Sequence, residues 1–203
     1  MMQQRIFLII PLALMALLSA CGSQPVKVER VGVDEVHDVS GRWNDTDSKL
    51  VSNEMVSDML ARAWLEEHVM QTSKKPSVIV GNIRNLSHEH VNVKTFINDI
   101  ERELINSRAV TFVADSTERN QIRDERLDQD LNASEATRKA MGQELGADYM
   151  LIGSISTIVD AAGKTQVTYY QTDLKLVSLT DNRTVWIGQK KIKKVITGRS
   201  YRY

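Results

Sequence analysis

The last quarter of the chain contains three long strand-like runs with only short turns between them, and this feature constrains the fold more than any other. The runs extend over residues 148–159, 166–179 and 184–196. Turn-forming residues at 160–163 and 180–183 separate them. Strands joined by such short connections pair antiparallel with their neighbours in sequence. The sequence therefore predicts a C-terminal antiparallel meander of three strands.

Helical and strand patterns alternate before the meander. The helical segments are 45–69, 93–106, 116–130 and 134–145, of which 116–130 is highly charged and expected to be exposed. The strand segments are 77–84 and 110–114. The predicted fold is therefore α/β, with a mixed sheet that ends in an antiparallel meander and is packed by helices.

The same periodicity predicts the core. Asp45 or Thr46 is expected to cap the first helix. Trp64 and Trp186 are expected to be core residues, and Trp43 is expected to attach the preceding segment to the domain. The residues expected to point inward from the second helix are Phe96, Ile97, Ile100, Leu104 and Ile105.

The N-terminus has the pattern of a bacterial lipoprotein signal. One arginine precedes an apolar run over residues 6–18, which is shorter than the about 20 residues that a membrane-spanning helix needs. Leu18-Ser19-Ala20-Cys21 then matches the lipobox, in which cleavage between Ala20 and Cys21 leaves the lipidated cysteine first. The alternative is an ordinary secretory signal with an incidental cysteine. We predict a signal peptide over 1–20 and lipid attachment, including palmitate, at Cys21.

Cys21 and the residue after it also predict how the protein is attached to a membrane and to which membrane. Cys21 is the only cysteine, so its lipidation leaves no thiol for a disulfide or a metal. Gly22 follows it where aspartate would favour the inner membrane, which predicts the outer membrane, with the domain facing the periplasm. Residues 21–44 have little helical periodicity and are predicted to be a flexible tether of at most about 80 Å, followed by a globular domain over 45–203. Alternatively, the valines of this segment could pair as an edge strand.

Charge points to one local surface only. Lysine plus arginine equals aspartate plus glutamate, at 26 each, so no overall field favours nucleic acid. Residues 183–203, however, contain seven basic residues and no acidic one. This stretch is either a solvated strand edge or a patch for an acidic partner. The candidate partner contacts are Lys190, Lys191, Lys193, Lys194 and Tyr170, since Tyr169 and Tyr170 must lie on opposite faces of one strand.

No catalytic pattern is present in the sequence. The pair His88 and His90 lacks an evident third ligand, so a polar loop is favoured over a metal site. No G-x-S-x-G, dinucleotide-binding or phosphate-binding glycine motif occurs. We therefore predict a non-enzymatic protein with no catalytic residue, no metal, no small-molecule substrate and no cofactor other than the covalent lipid.

Three stretches resemble the penicillin-binding protein activator LpoB family. They are GRWNDTDSKLVSNEMVSDML, LGADYMLIGSIS and DLKLVSLTDNRTVWIGQKKI, at 41–60, 145–156 and 173–192. Together with the lipobox and the order of elements, they cover most of 41–196. The resemblance implies a layout similar to CsgG and the TolB N-terminal domain. It also implies an outer-membrane lipoprotein that binds and activates a bifunctional (class A) penicillin-binding protein through an accessory domain of that enzyme.

Two other functions stay open beside this one. Family members carry a long proline-rich linker, whereas residues 21–44 are short and contain one proline, so a non-activating envelope adaptor is an alternative. A CsgG-like secretion component is the other. The segment 166–179 argues against a lipid-facing barrel, because Val167 and Tyr169 share one face while Leu174 and Leu176 lie on the other.

Overall fold

The computed structural model describes residues 27–33, 35–136 and 144–198. The predicted signal peptide, Cys21 and most of the predicted helix 134–145 lie outside these residues. The chain divides into a unit Met1–Glu35 and a compact unit Val36–Tyr203. In the first unit the described residues are exposed and form no helix or strand, with an ion pair of 2.9 Å between Lys27 and Glu29.

The second unit contains the predicted alternation of helices and strands. Its described helices are α1 (Asp45–Leu60), α2 (Ala63–Thr72), α3 (Val93–Ser107) and α4 (Ser116–Asn132). Its described strands are β1 (Ser77–Leu86), β2 (Thr111–Phe112), β3 (Tyr149–Ala162), β4 (Thr165–Ser178) and β5 (Thr184–Thr197). The edge strand over the tether valines, considered as an alternative to a flexible tether, is not found among residues 27–33 and 35–44.

The five strands form one mixed sheet in the order β2-β1-β3-β4-β5. β1 pairs parallel with β2 and β3, whereas β3 with β4 and β4 with β5 pair antiparallel over almost their whole lengths. The mixed sheet and the C-terminal meander are therefore confirmed.

The predicted helix over 45–69 is divided into α1 and α2. Arg62 adopts an extended conformation, with φ −94° and ψ 157°. The indole N–H of Trp64 donates to the Met59 carbonyl oxygen over 2.7 Å, taking an acceptor that a continuous helix would use for its own backbone. The prediction of one helix is wrong, because burying Trp64 at only 4% exposure turns the chain at this point.

The start of α1 is capped one residue earlier than expected. The Asn44 side chain accepts a hydrogen bond from the Asp47 backbone N–H, and the Asp47 carboxylate accepts one from the Asn44 N–H. This reciprocal capping box satisfies two backbone donors that the first turn would otherwise leave unpaired. The expected caps Asp45 and Thr46 are therefore wrong.

One face of the sheet carries the helices and the core. The core combines α1, α3 and alternate strand positions, and its fully buried members include Val51, Met59, Phe96, Ile100, Leu104, Leu151, Ile155, Leu174 and Leu176. Trp64 and Trp186 are buried, as predicted. Ile105 was expected to point inward but is 54% exposed, since it lies one residue beyond the inward position of Leu104.

Helix α4 is exposed, as the charge pattern predicts. It has no buried residue, and Asp115 caps its start by accepting from the backbone N–H groups of Thr117 and Glu118. Arg123 makes two bonds of 2.7 Å to the Glu144 carboxylate. Among the described residues, no helix is both long enough and apolar enough to cross a membrane.

Candidate functional site on the last strand and the open face of the sheet

The four lysines of β5 lie on two different faces of the sheet. Successive side chains of a strand point to opposite sides. Trp186 of β5 points into the core, so Lys190 and Lys194 lie on the helix-covered face and Lys191 and Lys193 on the other. The second face is called the open face below, because its residues on β3, β4 and β5 are largely exposed or partly exposed.

Lys190 and Lys194 are engaged inside the domain. Lys190 forms an ion pair with Glu54 of α1. The Lys194 side chain is only 12% exposed and its Nζ lies 2.6 Å from the Asp47 carboxylate and 3.3 Å from that of Asp38. These two lysines join β5 to α1 and to the segment before it, so their charges are largely neutralised where they lie.

Lys191 and Lys193 differ from the first pair. Both are exposed on the open face, and neither forms an ion pair with a described residue. Of the four lysines predicted to contact a partner, Lys191 and Lys193 are therefore the two whose positive charges are accessible to an acidic partner.

Tyr170 is placed differently from the sequence prediction. It is 1% exposed, and its hydroxyl oxygen lies 2.8 Å from Glu89 Oε1 and 3.0 Å from the Gly41 carbonyl oxygen, so its single proton has two acceptors within reach. Burial, followed by the hydrogen bond to Glu89, raises the pKa of Tyr170 far above its ordinary value. The expectation of a partner contact at Tyr170 is corrected, because a side chain buried on the helix-covered face is not available at the surface.

Tyr169 takes the surface position instead. It lies on the open face and is partly exposed. Its strand register places Ile158 of β3 on one side and Lys193 of β5 on the other. Alternation puts Tyr169 and Tyr170 on opposite faces, but only the position of the helices decides which face is covered. The sequence prediction therefore placed the two rings on opposite faces, but it took Tyr170 as the exposed ring where the structure exposes Tyr169.

Residues 38–43 form a strap that is held against the domain through Glu89. The Trp43 backbone N–H donates to Glu89 Oε2 at 3.1 Å. The Trp43 ring lies edge-on to Phe96 and Tyr170, with ring centroids 6.1 and 5.7 Å apart. The expectation that Trp43 attaches the preceding segment to the domain is confirmed.

We predict that Glu89→Ala lowers the free energy of unfolding by about 1–3 kcal/mol, because it leaves the Trp43 N–H without its acceptor and removes one acceptor of the buried Tyr170 hydroxyl. Urea unfolding followed by tryptophan fluorescence measures this change. The exposed neighbour His90→Ala is the matched control and is expected to shift the free energy by less than about 0.5 kcal/mol. Equal effects of the two variants would contradict this role of Glu89.

The two histidines considered as metal ligands are separated in their contacts. His88 Nδ1 lies 2.7 Å from the Thr157 hydroxyl, and the His88 backbone N–H donates to the same oxygen at 3.0 Å. His90 is exposed. Within the part of the chain that the structure describes, no group of three His, Cys, Asp or Glu side chains could hold a metal ion.

A shallow groove of about 550 Å³ crosses the middle of the open face. Its lining includes Arg84, Asp173 and Lys175. The Asp173 carboxylate accepts hydrogen bonds from Gln171 at 2.8 Å and from Gln189 at 2.7 Å. This carboxylate is therefore satisfied from its own strand β4 and from the neighbouring strand β5, and the groove is open to solvent.

Comparison with solved structures gives matches to LpoB and to a lipoprotein of another bacterium. The C-terminal domain of LpoB from Escherichia coli is 18% identical and matches 73% of this chain and 99% of that chain, with a TM-score of 0.45. The NMR structure of E. coli LpoB is 19% identical over 88% of this chain and 84% of that chain, with a TM-score of 0.39. Lipoprotein GNA1162 from Neisseria meningitidis is 17% identical over 59% and 83%, with a TM-score of 0.38.

Comparison with curated protein sequences gives no match. The family model described as peptidoglycan-synthase activator LpoB matches residues 47–192. This match begins within α1, ends within β5 and spans more than half of the chain. The chain therefore belongs to the family of the peptidoglycan-synthase activator LpoB.

Proposed function

We propose that this protein is an outer-membrane lipoprotein that binds a bifunctional (class A) penicillin-binding protein in the periplasm and activates its synthesis of peptidoglycan. The observation that carries the proposal is the family match over residues 47–192. The lipobox ending at Cys21 and the following Gly22 support attachment to the outer membrane. Cys21 carries the lipid, including palmitate, after cleavage behind Ala20.

Activation of this kind needs no catalytic residue in the activator. A protein that binds the active state of an enzyme more tightly than the inactive state shifts the enzyme toward the active state. A tenfold shift requires about 1.4 kcal/mol of differential binding, which a few side chains at an interface supply. The domain therefore acts as a non-enzymatic effector, and the chemistry of polymerisation and cross-linking stays in the synthase.

The proposal is tested with the mature chain, residues 21–203 carrying Cys21→Ala so that no lipid is attached. This protein is added to a purified class A synthase from the same organism while glycan polymerisation and peptide cross-linking are measured. We expect a saturable rise in at least one of the two rates. An unchanged rate, with the added protein folded by circular dichroism, would contradict activation.

The short tether favours a second candidate function, a non-activating envelope adaptor. Since Lys194 and Glu89 hold residues 38–43 against the domain, less of the segment 21–44 is left to span distance than the sequence suggests. Binding to the synthase without any change in either rate would favour the adaptor over the activator.

A further inference from the structure

A patch of apolar and basic side chains lies at one end of the open face, where it is left largely exposed by residues 35–136 and 144–198. We call it the distal patch, and its residues are Ile158, Val167, Tyr169, Lys191, Lys193 and Val195. We propose that the distal patch docks the synthase, through a surface on which carboxylates surround an apolar contact. The inference rests on the proposed function and assigns the docking surface for it.

Strand register brings the patch together. Ile158, Tyr169 and Lys193 form one row across β3, β4 and β5. Val167 and Val195 belong to the next row, which begins at Asp160. Side chains directly opposite one another on one face of a sheet lie about 4.5–5.5 Å apart at their Cβ atoms. The Tyr169 ring is therefore flanked by an aliphatic side chain on one side and by an ammonium group on the other.

The apolar members are more exposed than packing of this domain requires. Ile158 is 66% exposed and Val195 is 63% exposed, while Tyr169 and Val167 are partly exposed. A group of exposed apolar side chains with a tyrosine at its centre is typical of a protein contact, because docking removes that surface from water.

Charge decides the kind of partner. Lys191 and Lys193 stand at the rim without an ion pair to a described residue, whereas Lys190 and Lys194 on the opposite face are both neutralised. Asp160 is the acidic residue of the neighbouring row and forms no ion pair with either rim lysine. The rim is therefore positively charged. A partner with carboxylates at matching positions would associate faster through electrostatic attraction, and it would be favoured over partners without those carboxylates.

Protection of a sheet edge explains only part of this arrangement. Lysines on an exposed edge strand discourage pairing with other chains, and β5 lies at an edge of the described sheet. Tyr169, however, lies on β4 between two paired strands, so edge protection gives no reason for an exposed aromatic ring there. The central groove is a weaker docking site, because its Asp173 carboxylate is already bonded by two glutamine side chains.

The experiment compares three variants of the mature Cys21→Ala chain for binding to the purified synthase by surface plasmon resonance. Tyr169→Ala and the double variant Lys191→Glu/Lys193→Glu are each expected to weaken Kd at least about tenfold, the second mainly through a slower association whose dependence on salt is reduced. Lys74→Glu is the matched control, because Lys74 is exposed and precedes β1 at the opposite end of the sheet. It is expected to leave Kd unchanged.

Each outcome decides between the two proposals. If the mature Cys21→Ala chain binds the synthase, and both patch variants stay folded and bind it as tightly as that chain does, the docking surface is overturned and the proposed function stands. If the mature Cys21→Ala chain without a patch substitution does not bind the synthase, the proposed function fails and the docking surface fails with it. If the patch variants keep synthase binding but lose binding to vesicles of anionic phospholipid, the patch contacts lipid and the proposal is overturned.

Discussion

Leu104→Ala is expected to lower the free energy of unfolding by about 2–5 kcal/mol, whereas Ile105→Ala next to it is expected to change it by less than about 0.5 kcal/mol. Leu104 is fully buried beneath the sheet, so removal of its side chain leaves a cavity that the surrounding core closes only in part. Ile105 is 54% exposed and loses little packing when shortened. Small domains have a total stability of about 5–15 kcal/mol, so the first change is a large share of it.

Urea unfolding of the two variants and of the domain without either substitution gives the free energy of unfolding of all three proteins under the same conditions. The neighbouring position is a strict control, because both residues are aliphatic, both lie in the last turn of α3 and both become alanine. A comparable loss from both variants would show that α3 is rotated about its axis relative to the arrangement described above.

The pattern of the last three strands was sufficient to predict the antiparallel meander. Runs of 12 to 14 residues with short turns leave almost no choice except antiparallel pairing of neighbours, and the structure has that meander. The break between α1 and α2 could not be predicted, because its cause is the bond from the Trp64 indole to the Met59 carbonyl oxygen, which exists only when the ring is buried. Ile105 shows the same limit, since its neighbour Leu104 takes the inward position.

The sequence predicted which residues belong to the candidate site, but not which of them lie on the helix-covered face of the sheet. Alternation along β5 separates Lys190 and Lys194 from Lys191 and Lys193, but it does not tell which pair meets α1. That depends on Asp47 and Glu54, which are more than a hundred residues away in sequence. Burial of Tyr170 depends likewise on Glu89, a residue that the search for catalytic and metal-binding patterns did not single out.

Cys21→Ala is expected to abolish membrane anchoring and in-cell function while the domain stays folded. Attachment through the predicted lipid would be removed, since each buried methylene of an acyl chain contributes about 0.8 kcal/mol and the chain has no second cysteine. Labelling of growing cells with a fatty-acid analogue measures the modification, and membrane fractionation measures the anchoring. Incorporation of the label into the alanine variant would contradict lipid attachment at Cys21. A soluble variant with an unchanged unfolding transition is the expected companion result.

The expected loss of in-cell function of Cys21→Ala has a physical reason in the short distance that the tether allows between the anchor and the domain. Lys194 holds Asp38 and Glu89 holds Trp43, so the distance between the predicted anchor at Cys21 and Asp38 could be at most about 60 Å, the length of a fully extended chain of these residues. If Cys21 carries the lipid, the domain would stay within that distance of the membrane, where its effective concentration toward a partner at the same distance would be high. The Cys21→Ala protein is expected to spread through the whole periplasm and to lose that advantage. Restored function on strong overexpression of Cys21→Ala would show that the lipid supplies concentration, whereas persistent loss would show that attachment itself is required.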